Sequence, residues 1–296
     1  MISLKAEHLK RHIDLYWAEL NFSSPPVFLE RNYKMARYIS LYSGSSGNCS
    51  VVEKDGKFIL IDVGKSAKIT NAALKDAGLD IKNLQGVLVS HEHSDHIKGL
   101  KVFLKNIHVP LYTNPATAEY LVKRELVPAH TDVRCMNYGG EDLGDFFVTG
   151  FDTPHDSAGC MGFRVHTDGS QMAIATDLGH ITENILHNLS NTDLTVIEAN
   201  YDNRMLADGP YPYYLKERID SDYGHLSNIQ SGLAISKLVE KGAKQIQLCH
   251  LSQTNNTPTT ALTSIAATAK NVGIVFDKDV KVRVNSRNSV TRPTFF

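Results

Sequence analysis

Four side chains that can ligate a metal stand close together in the run Ser90-His91-Glu92-His93-Ser94-Asp95-His96. The run directly follows an apolar stretch, Gly86-Val87-Leu88-Val89, and so begins at the end of a predicted strand. Imidazole and carboxylate together suit borderline divalent ions such as zinc. Alternation in an extended segment puts His91 and His93 on one side. Asp95 and His96 then follow in a turn and can serve a second ion. The alternative is a polar surface loop that happens to be rich in histidine, and matches this dense are seldom accidental.

Other candidates also fall at strand ends. His155 follows one predicted strand in Thr153-Pro154-His155-Asp156, Asp177 follows Met172 to Thr176, and His250 follows Gln245 to Cys249. Glu198 ends the run Asp193 to Ile197, and His225 stands in Gly224-His225-Leu226-Ser227-Asn228 at a helix start. Taken singly, each reads as well as a structural or surface residue. Their order behind H-x-H-x-D-H predicts a site made of loops at one edge of stacked sheets, where strands fix the loop roots.

The elements that must position these residues alternate from Met35 onward. Strands are predicted at 38–42, 49–54, 57–62, 85–90, 145–151, 161–166, 171–176, 193–198, 244–249 and 280–284. Helices are predicted at 66–76, 98–106, 115–125, 181–189, 226–240 and 258–270. Asn114-Pro115, Ser227-Asn228 and Thr257-Pro258 are start signals, and Gly242 and Gly273 are stop signals. Lys54-Asp55-Gly56-Lys57 signals a hairpin. Residues 200–224, rich in Tyr, Asp and Arg, read as an irregular excursion beside the site.

The chain has 296 residues, 42% hydrophobic and 21% charged, which is ordinary globular composition and enough for one layered α/β core. A formal net charge of −1 advertises no global attraction to polyanions, although bound cations would add local positive charge. Cys49, Cys135, Cys160 and Cys249 form no C-x-x-C pair, and reduced thiols in a cytoplasmic protein are expected. Cys249 adjoins His250, but strand alternation turns it into the core. No apolar run reaches the ~18 residues of a membrane span. Charges interrupt residues 1–34, so no signal sequence is read there. Leu9, Ile13, Tyr16, Trp17 and Leu20 give helical spacing over 8–22, and Ser23-Ser24-Pro25-Pro26 breaks it. Residues 1–34 are therefore expected to be an appendage, or to precede a true start at Met35, with a single domain over 35–296.

With these residues in view, the chain resembles the metallo-β-lactamase superfamily over 36–285. The resemblance adds Asp62, in Leu60-Ile61-Asp62-Val63-Gly64. It implies an αββα sandwich, two mixed sheets face to face with helices outside. It implies that His91, His93 and His155 hold one ion, that Asp95, His96 and His250 hold another, and that Asp177 bridges them. Asp62 would be a buried carboxylate that orients ligands without binding metal. The implied cofactors are two divalent ions, zinc first and manganese as the alternative. Five neutral imidazoles and two carboxylates leave such a centre net positive, which suits phosphate.

The Glu198 and His225 pair resembles that of tRNase Z and RNase J-type nucleases, where a carboxylate orients an imidazole facing the scissile phosphate. The competing reading makes His225 a helix cap and Glu198 a solvated residue. The interval from Asp177 to His250 is too short for a β-CASP insertion. Ser43-Gly44-Ser45-Ser46-Gly47-Asn48, Thr176-Asp177-Leu178-Gly179, Glu198-Ala199-Asn200-Tyr201-Asp202 and His250-Leu251-Ser252 resemble the YycJ/WalJ family. That family is linked to exonuclease action on DNA and to mismatch repair. The implied chemistry is metal-activated attack of water on phosphorus, with Asp95 holding an ion and the attacking water, and His225 serving the leaving oxygen. DNA is then the partner, and no membrane is involved. The alternative is a phosphodiesterase for a cyclic phosphate or nucleotide, which would show little of the salt dependence expected with nucleic acid. A regulator without turnover and a thioesterase or lactamase are disfavoured, the last because Glu198 and His225 would have no role.

Substrate contacts are open on the sequence. Ser45, Ser46 and Asn48 either present N–H groups to a phosphate or form a plain turn. Ser227, Asn255 and Asn256 either touch substrate or start helices. Lys216, Arg218, Arg283, Arg287 and Arg292 either line DNA or form solvated faces. Because residues 1–34 carry no ligand, a chain starting at Met35 should fold, bind metal and keep its activity. Packing by Trp17 would show as a melting temperature several degrees lower on truncation, and an insoluble or metal-free product would move the boundary.

Overall fold

Strands covered on both faces must be apolar at successive positions, and Val87-Leu88-Val89 and Ala173-Ile174-Ala175 meet that requirement. The computed structural model of the chain describes residues 35–136 and 139–296. The predicted helix over 8–22 lies outside the described residues. Among these, one sheet holds β1 (Arg37–Tyr42), β2 (Cys49–Lys54), β3 (Lys57–Ile61), β4 (Leu84–Leu88), β5 (Leu111–Thr113) and β6 (Val133–Cys135) in sequence order. The other holds β7 (Glu141–Asp142), β8 (Phe147–Asp152), β9 (Met161–Thr167), β10 (Ser170–Ala175), β11 (Leu194–Glu198), β12 (Gln245–Cys249) and β13 (Lys281–Val284), again in order. The last strand, β14 (Thr294–Phe295), returns to pair with β1.

Alternation along each strand separates three cores. Ile59, Ile61 and Leu88 of the first sheet pack with Val148, Phe163, Val165, Met172, Ile174 and Val196 of the second. Phe58, Leu60, Val87 and Val89 face the opposite way, onto Leu74, Leu100, Phe103 and Leu121. On the far side, Ala173, Ala175, Ile197, Ile246 and Leu248 meet Ile185, Leu186, Ile235, Leu238 and Ile265. Period two in the strands thus produces the layered sandwich expected for the metallo-β-lactamase fold. Among the described residues no helix is long and apolar enough to cross a membrane.

Three local features differ from what the sequence predicts. The helix expected over 98–106 is only Leu100–Phe103, continued by a 3-10 turn at Leu104–Asn106, and a separate short helix, Ser94–Ile97, precedes it. The break is at Gly99, whose N–H is drawn to Val63 O at 2.9 Å. The excursion is not irregular throughout, since Asn203–Asp208 and Tyr213–Ile219 are helical. Strands β5, β6, β7 and β14 are absent from the sequence prediction, because two or three residues are too few to display a period.

Chain direction places the site. Strands β10 to β13 run parallel, and β8 and β10 are both antiparallel to β9, so these strands end at a common edge. Strands β3 and β4 are parallel in the other sheet. The loop after β4 is sewn to the loop after β3 by Val63 N to His96 O and to the β1–β2 turn by Asn48 N to Asp95 O, both 2.8 Å. Gly64 lies at this seam, where a Cβ would come within 1.7 Å of Asp95 O. Gly64→Ala should therefore displace the loop that carries Asp95. Overpacking of this kind costs about 1–3 kcal/mol, so a thermal melt should fall by several degrees and elemental analysis should find less bound metal.

Candidate active site

Both sheets deliver residues to one place. Asp62 follows β3 and His91 to His96 follow β4, whereas His155, Asp177, Glu198 and His250 come from the ends of β8, β10, β11 and β12. His225 enters from the segment just before the helix Asn228–Glu240. One donor atom each from His91, His93 and His155 lies within 4.8 Å of the other two. The same holds for Asp95, His96 and His250, and for His91, His96 and Asp177. The structure thus brings together both triads implied by the resemblance, with Asp177 reaching into each.

Hydrogen bonds decide which nitrogen of each ring faces the centre. Asp62 accepts from Ser90 N at 2.8 Å and from Ser90 Oγ at 2.9 Å. The single hydroxyl proton of Ser90 is thereby used, so Ser90 Oγ accepts from His91 Nδ1 at 3.1 Å. His96 Nδ1 lies 2.7 Å from Asp62 Oδ2, His155 Nδ1 3.0 Å from Gly224 O, and His250 Nδ1 2.7 Å from Glu198 Oε1. In all four rings Nδ1 is tied to an acceptor and Nε2 is left to the centre, the arrangement that orients imidazoles for a metal. His91 Nε2 is buried with no hydrogen-bond partner. Burial, then the neighbouring His96, pushes His91 well below the usual histidine range, so it is a neutral ring with a bare lone pair. The residues therefore fit divalent cations, and so many imidazoles favour the zinc type.

The charges agree. Burial would raise Asp177, but His250 and His96 hold it well below the ordinary carboxylate range. Burial acts on Asp95 in the same sense, and His96 and His250 again hold it low. Burial opposes protonation of His250, yet Asp177, Asp95 and Glu198 push it up to about 10. His96 is likewise driven well above its usual value against burial, chiefly by Asp177 and Asp95. Without a cation, protons on these two rings balance the carboxylates.

Backbone geometry is unusual at three positions of the candidate site. Asp62 (φ 63), Asp177 (φ 58) and His250 (φ 54) all adopt the left-handed region, which costs non-glycine residues of order 1–3 kcal/mol. Surrounding bonds hold them there. His250 N donates to Ser43 Oγ at 2.8 Å, and Asn200 Nδ2 donates to His250 O at 2.9 Å. Thr176 Oγ1 donates to Asp177 Oδ2 at 2.8 Å. Sequence reasoning quotes Ser43, Ser90, Thr176 and Asn200 within motifs but gives none of them a role. Ser90 and Thr176 are chain neighbours of ligands, a signal that could have found them, whereas Ser43 and Asn200 reach His250 only through the fold.

Glu198 is buried rather than solvated, and His225 is no cap. His225 Nδ1 lies 2.8 Å from Glu198 Oε1, and the cap of Asn228–Glu240 is Ser227, in a capping box with Gln230. The rings of His155 and His250 stand 5.1 and 5.2 Å from that of His225.

The expected substrate contacts divide. Ser45 and Ser46 are exposed on the turn closed by Gly47 N to Gly44 O, 2.8 Å. Asn48 is buried, with Nδ2 3.3 Å from Asp95 Oδ2 and 3.1 Å from His96 Nε2. Ser227 and Asn255 are both buried and present no surface to a substrate: the Ser227 hydroxyl bonds Gln230, and Asn255 lies under Gly209. Asn256 is consumed in bonds to Asn228 and to the 199–200 backbone. Arg218 pairs with Asp156, and Arg287 donates to Ser252 O. Cys249 lies in the core between the sheets, where burial pushes its thiol up.

Residues 57–251 match the Beta-lactamase superfamily domain. The chain belongs to this superfamily. It is 37% identical over 238 residues to Exodeoxyribonuclease YycJ of Bacillus anthracis, covering 79% of this chain and 89% of that protein. It is 33% identical over 226 residues to Exodeoxyribonuclease WalJ of Streptococcus pneumoniae, covering 74% and 83%. The fold is similar to that of the metallo-beta-lactamase fold protein YhfI from Bacillus subtilis. The TM-score is 0.67 at 17% identity, covering 88% of this chain and all of that one.

Because the neighbouring carboxylates push His250 and His96 above the usual histidine range, a cation must compete with protons for these rings. Zinc affinity should therefore rise with pH through the neutral range, with protons released on binding. Calorimetry in buffers of differing ionisation enthalpy measures that release. Affinity independent of pH would contradict the assignment of these rings.

Proposed function

We propose that the chain is a metal-dependent phosphodiesterase whose substrate is DNA, cleaved from its ends. The observation that carries the reading is the Glu198 Oε1 contact to His225 Nδ1, at 2.8 Å. That contact leaves Nε2 as the working nitrogen of an imidazole beside both triads. A thiolate departs from a thioester without a proton, whereas the leaving oxygen of a phosphodiester needs one. Two relatives named exodeoxyribonuclease, alike over most of their length, support DNA as the polymer.

Two divalent ions, zinc by preference, would be held by His91, His93 and His155 and by Asp95, His96 and His250, with Asp177 shared. When bound they supply the Lewis-acid charge that activates water near neutral pH and offsets phosphate charge. The side chains do the rest. Asp95, held ionised by His96 and His250, accepts a hydrogen bond from the attacking water and orients its lone pair toward phosphorus. His225 Nε2 gives its proton to the departing oxygen. Glu198, held at about 2 despite burial, keeps the Nδ1 proton in place and turns Nε2 toward the departing oxygen. Asp62 and Ser90 hold His91 and His96 in the required tautomers throughout.

End-labelled single- and double-stranded DNA and RNA, incubated with metal-loaded protein, test the reading. Mononucleotide release from DNA is expected, with activity falling steeply as salt rises. An enzyme that turned over only cyclic or mononucleotide phosphodiesters would overturn it. His225→Ala should keep its metal and lose roughly 10²-fold or more in turnover. Asp177→Ala should lose metal as well. A fully active His225→Ala protein would remove His225 from the mechanism.

A further inference from the structure

We propose that the cavity beside His155, rimmed by Tyr223, is a nucleobase subsite that seats the terminal base of the strand being cleaved. This rests on the phosphodiesterase reading above. The cavity is a cleft open to solvent with a volume of about 400 Å³, within the range of small-molecule sites. Its wall includes Asn114, Pro115, Pro154, His155, Gly159 and Tyr223. His155 is at once a wall of the cavity and a member of a candidate metal triad, so an occupant abuts the reacting phosphate.

The chemistry of the wall selects the occupant. No lysine or arginine lines the cavity among the described residues, and Asp152 contributes a carboxylate. A second phosphate would be repelled there, whereas the uncharged part of a nucleotide would not. Two proline rings and a tyrosine offer flat apolar surfaces of the kind on which a heterocycle stacks. Tyr223 is 60% exposed, a large aromatic left uncovered at the mouth. Its backbone is nevertheless fixed. Tyr223 O accepts from Asp156 N at 3.0 Å, and the next carbonyl, that of Gly224, bonds His155 Nδ1.

The opposite wall is preformed. Asn114 caps the helix Pro115–Lys123 through Oδ1, and its Nδ2 donates to Gly159 O at 2.8 Å. A Cβ at residue 159 would stand 2.6 Å from Asn114 Oδ1, so glycine lets the two walls meet. An occupant therefore enters a cavity that needs little ordering, which favours binding.

The test compares DNA ends that carry a terminal base with otherwise identical abasic ends. The metal-loaded wild type should prefer the base by about tenfold or more in kcat/KM, the scale of one base stacked on an aromatic ring. Tyr223→Ala should bring that ratio close to one, and Tyr223→Phe should retain it. A wild type indifferent to the base, or a Tyr223→Ala protein that still discriminates, would overturn the subsite. Calorimetry with deoxyadenosine 5′-monophosphate and deoxyribose 5-phosphate supplies a readout apart from turnover. The wild type should bind the nucleotide more tightly, and Tyr223→Ala should narrow the gap. Absence of any DNA cleavage would refute the proposed function, while equal binding of the two probes would refute the subsite.

Discussion

The carboxylate of Glu198 is the group on which the second sheet's share of the site depends. It is wholly buried and still ionised, a state that a protein tolerates only when the charge is fully hydrogen-bonded. Its four partners come from three separate places. Oε1 faces Nδ1 of both His225 and His250, at 2.8 and 2.7 Å, and Oε2 accepts from Leu178 N and Leu226 N. Leu178 is the residue after Asp177, and Leu226 the residue after His225. One side chain at the end of β11 thus fixes a candidate metal ligand, the candidate proton donor and the loop of the candidate bridging residue. Asp62 does the equivalent work in the first sheet, through Ser90 and His96. The site is two buried carboxylates, each organising imidazoles, brought face to face.

That division explains what is legible in the sequence. Buried strands carry apolar runs, so β1 to β4 and β9 to β12 are legible to within two residues; β8 and β13 are legible although only partly buried or unburied, and the candidate ligands lie at strand ends. The H-x-H-x-D-H run is legible because its candidate ligands are local. Whatever depends on two distant elements meeting is not. Glu198 is expected from the sequence to serve His225, but its bond to His250 needs β11 and β12 as neighbours. Ser227 and Asn255 stand near His225 and His250 in the chain, which makes them candidate substrate contacts, yet nearness along a chain does not decide burial. The left-handed backbone at Asp62, Asp177 and His250 leaves no trace either, since none of the three is glycine.

The strained positions and the buried charges share a logic. Each is unfavourable alone; Asp62, Asp177 and His250 are held by Ser43, Ser90, Thr176 and Asn200, and Glu198 by the four partners named above. Stability is given up for a fixed geometry, as expected where side chains must converge before any substrate arrives. The three apolar cores offset that loss.

The candidate ligands are also shared out between layers that are otherwise joined by apolar packing. His91 and His93 hang from one sheet and His155 from the other; Asp95 and His96 from one and His250 from the other. An ion on either triad is consequently a cross-brace, absent from the unfolded chain and present only when both sheets are assembled. By mass action, each tight site adds about 2.7 kcal/mol to folding when free metal exceeds its dissociation constant a hundredfold. Metal supply would then govern the lifetime of the folded molecule as well as its chemistry, and starvation for the ion would remove the protein along with its activity.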